Sequence, residues 1–231
     1  MTKLTALVLG AYLFSACQSE PSPDKSRAED LFVEVSERVG LNFKHDPGVD
    51  GSYFMPESIG SGCAFLDYDN DNDLDIYLLN GAVHNRTSAH KILRNHLFQQ
   101  ESDGSFIDVT VKSGLGDTGY GMGVAAADMD NDGDVDVYIS NYGPDALYRN
   151  NGDGTFTNIT QAAGISNPRW GASVVFLDYN LDGFLDIYVT NYVDYDPLHA
   201  CLDLSGRKDY CGPAGFDGVP WQSRLTPSGD G

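Results

Sequence analysis

The sequence predicts an all-β protein made of repeated units of four antiparallel strands, and three observations support this. An acidic loop with aspartate at alternate positions occurs three times, beginning at Asp67, Asp128 and Asp178. Short β-branched and aromatic runs, which are typical of strands, flank each loop. A second signature recurs in phase with the loops: a Phe, then Ser or Thr four residues later, then a Gly-aliphatic pair. The unit has about 50 residues in its tightest form.

The hydrophobic runs on both sides of the loops predict the inner strands of each unit. Residues 63–66, 124–127 and 174–177 precede the loops, and residues 76–79, 137–140 and 187–190 follow them. In the second unit a turn at 141–144, a strand at 146–150, a Gly-containing hairpin at 151–154 and a strand at 155–159 complete the pattern. Four antiparallel strands at this period fit a β-propeller blade better than a sandwich.

The first unit is longer than the other two. The signature Phe precedes the first loop Asp by 22 residues in the second and third copies but by 35 in the first, where Phe32 precedes Asp67. An insertion of 13 residues therefore falls within 44–58. A bulky residue followed by Gly also precedes each inner strand, at Ile59-Gly60, Tyr120-Gly121 and Trp170-Gly171.

The acidic loops have the composition of cation sites. Clustered carboxylates repel one another unless a hard cation neutralises them or the segment stays solvated as an uncoordinated acidic turn. Each loop offers side chains at positions 1, 3 and 5, a turn residue at 6, a carbonyl at 7 and a carboxylate at 9. This set favours calcium over magnesium, which prefers strict octahedral geometry and retained waters. An EF-hand is excluded because position 12 is Leu78, Ile139 or Val189. The predicted ligands are Asp67, Asp69, Asp71, Asp73 and Asp75; Asp128, Asp130, Asp132, Asp134 and Asp136; and Asp178, Asn180, Asp182, Phe184 and Asp186.

The formal charge of −20 argues against a nucleic-acid partner and against electrostatic attachment to anionic lipid. Thirteen of the 34 acidic residues lie in the three loops, and three divalent cations would bring the charge to −14. The remaining acidity favours solubility.

The amino terminus predicts export. Residues 1–17 contain one Lys, an apolar run too short to span a membrane, and small residues before Cys17. Residues 13–17 resemble a bacterial lipobox, with Phe14 where Leu is usual, so we expect Cys17 to carry lipid, with ordinary signal cleavage as the alternative. Polar residues 18–30 suit a flexible tether, and the repeats occupy 31–231.

Export permits disulfides, and the natural pair is Cys201 with Cys211, ten residues apart in a Gly- and Pro-containing stretch. Cys63 lies in an apolar strand, where a buried inert thiol is expected. The sequence contains no Cys-X-X-Cys pair, phosphate-cradling Gly loop or recognisable catalytic triad, and the five histidines lack ligand-like spacing and are expected in surface positions or loops.

The loops resemble the calcium-binding FG-GAP or VCBS repeats of integrin-like propellers. Residues 147–156, 158–160, 163–165 and 209–213 are similar, more narrowly, to bacterial proteins related to cartilage acidic protein, which often carry a terminal ASPIC/UnbV domain. The resemblance implies calcium at the Asp loops and a role in adhesion or protein contact. The ASPIC/UnbV segment is not found, and the sequence covers about three blades plus the start of a fourth, so we expect an incomplete propeller.

Two functions follow as expectations. The first is a non-catalytic, calcium-stabilised lipoprotein of the bacterial cell envelope, or a secreted protein, with a propeller surface that binds protein or glycan. The alternative is part of an extracellular enzyme that acts on polymers and whose catalytic part lies on further blades.

Overall fold

The computed structural model describes residues 32–84, 92–195, 201–202 and 205–209. Several predicted features lie outside this part: the signal peptide, Cys17, the tether 18–30, Cys211 and the side chain of Cys201. The predictions of a lipid on Cys17 and of a Cys201–Cys211 disulfide are therefore untested. Residues 1–35 and 36–231 form two separate units. Of the first, only 32–35 are described, and they have no regular secondary structure.

Two four-stranded antiparallel sheets form the centre of the described structure. The first blade consists of Cys63–Leu66 (β1), Asp75–Leu78 (β2), His96–Gln100 (β3) and Phe106–Asp108 (β4). The second consists of Tyr120–Ala127 (β5), Asp136–Tyr142 (β6), Ala146–Asn150 (β7) and Phe156–Asn158 (β8). In both blades the strands follow one another across the sheet in chain order, which confirms the predicted four-stranded unit.

Further elements complete the described chain. Gly171–Leu177 (β9) and Asp186–Asn191 (β10) pair as the start of a third blade, and Cys201–Leu202 (β11) pairs with Lys208–Asp209 (β12). A short 3₁₀ helix at Met55–Ser58 lies in the predicted insertion, and a one-turn helix at Thr110–Ser113 (α1) follows β4. The fold is therefore all-β, with sheets arranged as blades of an incomplete propeller.

The inner strand β5 begins at Tyr120, four residues before the predicted start. Residues 120–123, predicted to precede the strand, continue it through a bulge between Gly121 and Gly123. A Cβ atom on Gly121 would lie 2.9 Å from Leu79 Cβ, so glycine permits the close approach of the neighbouring blade.

The core lies between the blades, because side chains of β6 alternate between the two neighbouring sheets. Val137 and Ile139 pack with Tyr77 and other residues of the first blade. Tyr138, between them in the sequence, packs with Val174 of β9. Both faces of β6 are thus buried between the neighbouring sheets.

The outward faces of the first and third sheets contain exposed apolar side chains. Phe65 is 65% exposed in β1, and Tyr188 is 62% exposed in β10. Cys63 shares the outward face with Phe65 and is exposed as a free thiol, so the prediction of a buried thiol is wrong. The apolar sequence of β1 had suggested burial on both faces, whereas the second blade packs on one side of the first sheet only.

Candidate metal centre

The three acidic loops join β1 to β2, β5 to β6 and β9 to β10, and they share one backbone conformation. In each loop the Asp at position 1 accepts two backbone hydrogen bonds, one on each carboxylate oxygen. In the second loop, Asp132 N–H donates to Asp128 Oδ1 at 3.1 Å and Gly133 N–H donates to Oδ2 at 2.9 Å. The equivalent pairs in the first and third loops measure 2.9 to 3.1 Å. This Asp therefore shapes the loop as well as offering oxygen ligands.

Positions 4 and 6 of each loop have left-handed backbone conformations. Position 4 has φ of 61° in all three loops, at Asn70, Asn131 and Leu181. Position 6 is Asn72 in the first loop, with φ of 71°, and glycine in the other two. Asparagine tolerates this region better than most residues, so Asn72 can replace the turn glycine.

The Asp at position 9 fastens the loop to the sheet. Asp136 is 1% exposed, and its two oxygens accept hydrogen bonds from Met129 N–H at 3.1 Å and from Asn150 N–H of β7 at 2.8 Å. Asp75 makes the same two contacts in the first blade, each at 2.9 Å. Burial raises the pKa of Asp75 and of Asp136 to about 6, although these backbone donors oppose the increase. Position 9 thus links each of these two loops to the third strand of its blade.

Two groups of carboxylates are close enough to share a cation. Oxygens of Asp67, Asp69 and Asp71 lie within 4.8 Å of one another, as do oxygens of Asp128, Asp130 and Asp136. Asp69 Oδ1 and Asp73 Oδ1 are shielded from solvent and accept no hydrogen bond. Hard, anionic oxygen donors in a flexible loop are the set that calcium prefers, so the residues present fit calcium.

The pKa values of the central aspartates indicate electrostatic repulsion within the loops. Partial burial, together with the neighbouring carboxylates Asp71, Asp67 and Asp73, raises the pKa of Asp69. Burial and the carboxylates of Asp132 and Asp128 raise the pKa of Asp130 in the same way. A bound divalent cation would remove the repulsive part of this effect.

Not every predicted ligand joins these groups. Asp73 and Asp75 are outside the first group, and Asp132 and Asp134 are outside the second. Among the described residues, the third loop contributes no group of three acidic side chains, because Asn180 occupies position 3 and its amide donates to Asp182 Oδ2 at 2.9 Å. Hydrogen bonds to Asp182 from Phe184 N–H and from the Asn180 side chain lower its pKa.

Two contacts between loops were not predicted. Asn70 Nδ2 in the first loop donates to Asp134 Oδ1 in the second at 2.5 Å, and Asn131 Nδ2 in the second donates to Gly183 O in the third at 2.9 Å. The signal in the sequence was the shared Asn at position 4, whose partner could be identified only from the packing of the blades. His96, expected at the surface or in a loop, lies in strand β3 with a side chain that is 30% exposed and with Nδ1 2.7 Å from Asp108 Oδ2.

A family model described as an FG-GAP-like repeat matches residues 67–139 and, overlapping with them, residues 128–189. Each match begins at the first Asp of one loop and extends to the strand after the next loop. Together the matches cover more than half of the chain. No curated protein matches the sequence.

Proposed function

Because the chain belongs to the FG-GAP-like repeat family, we propose that it is a calcium-stabilised propeller module that binds a protein or glycan at the bacterial cell envelope. The observation that carries the proposal is the pair of carboxylate groups in equivalent loops of successive blades. Calcium would be held by Asp67, Asp69 and Asp71 in the first blade and by Asp128, Asp130 and Asp136 in the second. Its chemistry there is neutralisation of the carboxylates and cross-linking of the loop.

The binding role is supported by the family and by the distribution of chemistry in the chain. FG-GAP repeats form β-propeller domains of binding or adhesion proteins and are generally non-catalytic. The most concentrated reactive groups in the described residues are the loop carboxylates, whose geometry suits a cation. The loops at the blade ends and the partly exposed segment 42–47 offer surface for a protein or glycan partner.

The envelope location is supported by the sequence of residues 1–30 and by the family. FG-GAP repeats are typical of extracellular or cell-surface proteins. In the described part of the chain, no helix has the length and apolar character needed to cross a membrane. We propose that a lipid on Cys17 provides the membrane attachment and that the chain is related to the cartilage acidic protein-like group.

Thermal unfolding with calcium, and in chelator, tests the calcium part of the proposal. A ligand that binds only the folded state raises the melting temperature by mass action, so calcium should stabilise the chain. Asp130→Asn should reduce this stabilisation, whereas Asp103→Asn, which removes the same charge from a hairpin outside the loops, should retain it. The calcium proposal is wrong if millimolar calcium changes neither the melting temperature nor the heat of titration.

Binding to candidate ligands tests the second part. The chain should retain extracellular polysaccharide or envelope protein from the same cells in calcium and release it in chelator. A chain that turns over a polysaccharide, detected as new reducing ends, would instead favour the enzyme alternative.

A further inference from the structure

The two contacts between successive acidic loops are both made by the asparagine at position 4. In each of the first two loops the asparagine at position 4 donates its side-chain amide to the next loop, at position 7 in one case and at position 6 in the other. Position 4 lies between the aspartates at positions 3 and 5. In the first loop Asn70 therefore sits between Asp69 and Asp71, which belong to the same carboxylate group.

The residue that accepts the Asn70 amide lies at a position whose backbone a cation site would use. Asp134 is at position 7 of the second loop, where calcium loops of this spacing use the carbonyl oxygen. Its backbone N–H donates to Asp132 Oδ1 at 3.0 Å. Its carboxylate lies between Asn70 and the hairpin glycine Gly152, on which a Cβ atom would come within 2.7 Å of Asp134 Oδ2. Both ends of Asp134 are thus held, and Asn70 supplies one of the restraints.

We infer that the cation sites of successive blades are coupled through Asn70 and Asn131, so that occupancy of one loop increases the affinity of the next. The inference rests on the calcium binding proposed above. A cation that fixes Asp69 and Asp71 also fixes Asn70 between them, and the amide of Asn70 then orders Asp134 before the second cation arrives. Thermodynamic linkage makes the effect reciprocal between the two sites. Asn70 and Asn131 are accordingly positioning residues and not ligands.

The third loop marks the end of this series within the described residues. Its position 4 is Leu181, which has the same φ of 61° but is 86% exposed and has no amide to donate. Loop geometry therefore does not itself require asparagine at this position. The side-chain amide is present in the two loops that face a following loop in the described structure.

A double-mutant cycle on the full chain tests the coupling between the first two loops. All variants carry Asp182→Asn to weaken the third loop, and calcium affinity is measured by titration calorimetry. Asp69→Asn disables the first site. It should lower the affinity of the second site roughly fivefold when Asn70 is present, and much less when Asn70→Gly has removed the amide. Glycine adopts the positive φ of position 4 without strain, so the substitution preserves the loop.

Asn72→Gly is the matched control, because it is also an Asn→Gly change at positive φ in the first loop, and within the described residues the Asn72 side chain makes no hydrogen bond to another loop. It should leave the fivefold effect intact. If Asp69→Asn lowers the calcium affinity of the second site equally with and without the Asn70 amide, charge alone connects the sites and the inference is overturned. The inference is also overturned if Asn72→Gly abolishes the fivefold effect. Two calcium ions that bind independently would overturn the coupling only, whereas absence of any binding would overturn the calcium proposal as well.

Discussion

Substitution of Gly121 by alanine tests how closely the first two blades must approach each other. The new Cβ would lie 2.9 Å from Leu79 Cβ and 3.2 Å from Asn80 O. Carbon atoms in contact prefer 3.5–4.0 Å, so the blades would have to separate by roughly 0.6 Å. Overpacking of this kind costs about 1–3 kcal/mol. A protein of this size loses about 2–4 °C per kcal/mol, so the melting temperature should fall by about 4–8 °C for a cost of about 2 kcal/mol.

Gly60→Ala is the control, since Gly60 holds the equivalent place before β1 and a Cβ there meets no atom within 4 Å. Its backbone is not in the positive-φ region, so alanine should be neutral or stabilise the fold by about 0.4–1 kcal/mol through the unfolded state. Both variants are compared by thermal and urea unfolding in calcium. Equal stabilities would refute the reasoning, because they would mean that the blades do not meet as closely at Gly121 as described.

Further predictions address the metal loops, the buried polar groups, the cysteines and the exposed faces. Asp132→Ala should weaken calcium binding at the second loop more than Asp134→Ala, since position 7 would ligate through its backbone; calorimetry that ranks them in the opposite order would contradict this. Burial raises the pKa of Asp145 above its ordinary value of 3.8, so the contribution of this carboxyl group to stability declines as the pH rises above 3.8. Asp145→Asn should remove this decline when melting temperature is measured against pH, and an unchanged pH dependence would count against the prediction. Mass measurement of membrane-extracted protein should find lipid on Cys17, a Cys201–Cys211 bridge and reduced Cys63, and a bridge to Cys63 or an unacylated secreted protein would refute the respective part. The exposed faces that contain Phe65 and Tyr188 should cause concentration-dependent association or strong binding of a hydrophobic dye, whereas a monodisperse monomer without dye binding would show that these faces are covered in solution.

The sequence was most informative where the structure depends on local patterns. The predicted strand at 63–66 has the bounds of β1, and the loops were placed correctly because each aspartate has a fixed role in the turn. Prediction failed where the outcome depends on neighbouring blades. The glycines at 121 and 123 were predicted to precede the strand, but they belong to β5, where a bulge accommodates them and Gly121 lies against Leu79 of the first blade. Exposure of Cys63 likewise depends on which faces of the first sheet are covered, which its own sequence does not specify.

The third loop separates the requirements for loop shape from those for cation affinity. Asp178 and Asp182 accept the same backbone hydrogen bonds as their equivalents, and Asp186 accepts Tyr179 N–H at 3.0 Å, although position 3 is Asn180. Asn180 Oδ1 also accepts Asp182 N–H at 2.9 Å, so a neutral amide at position 3 keeps the loop hydrogen bond, and what the third loop lacks is the charge of a carboxylate. Since Asn180 contributes no charge, the third loop should bind calcium most weakly. Asn180→Asp should strengthen this site while leaving the fold in chelator unchanged, and calorimetry that finds no gain in affinity would show that position 3 does not contact the cation.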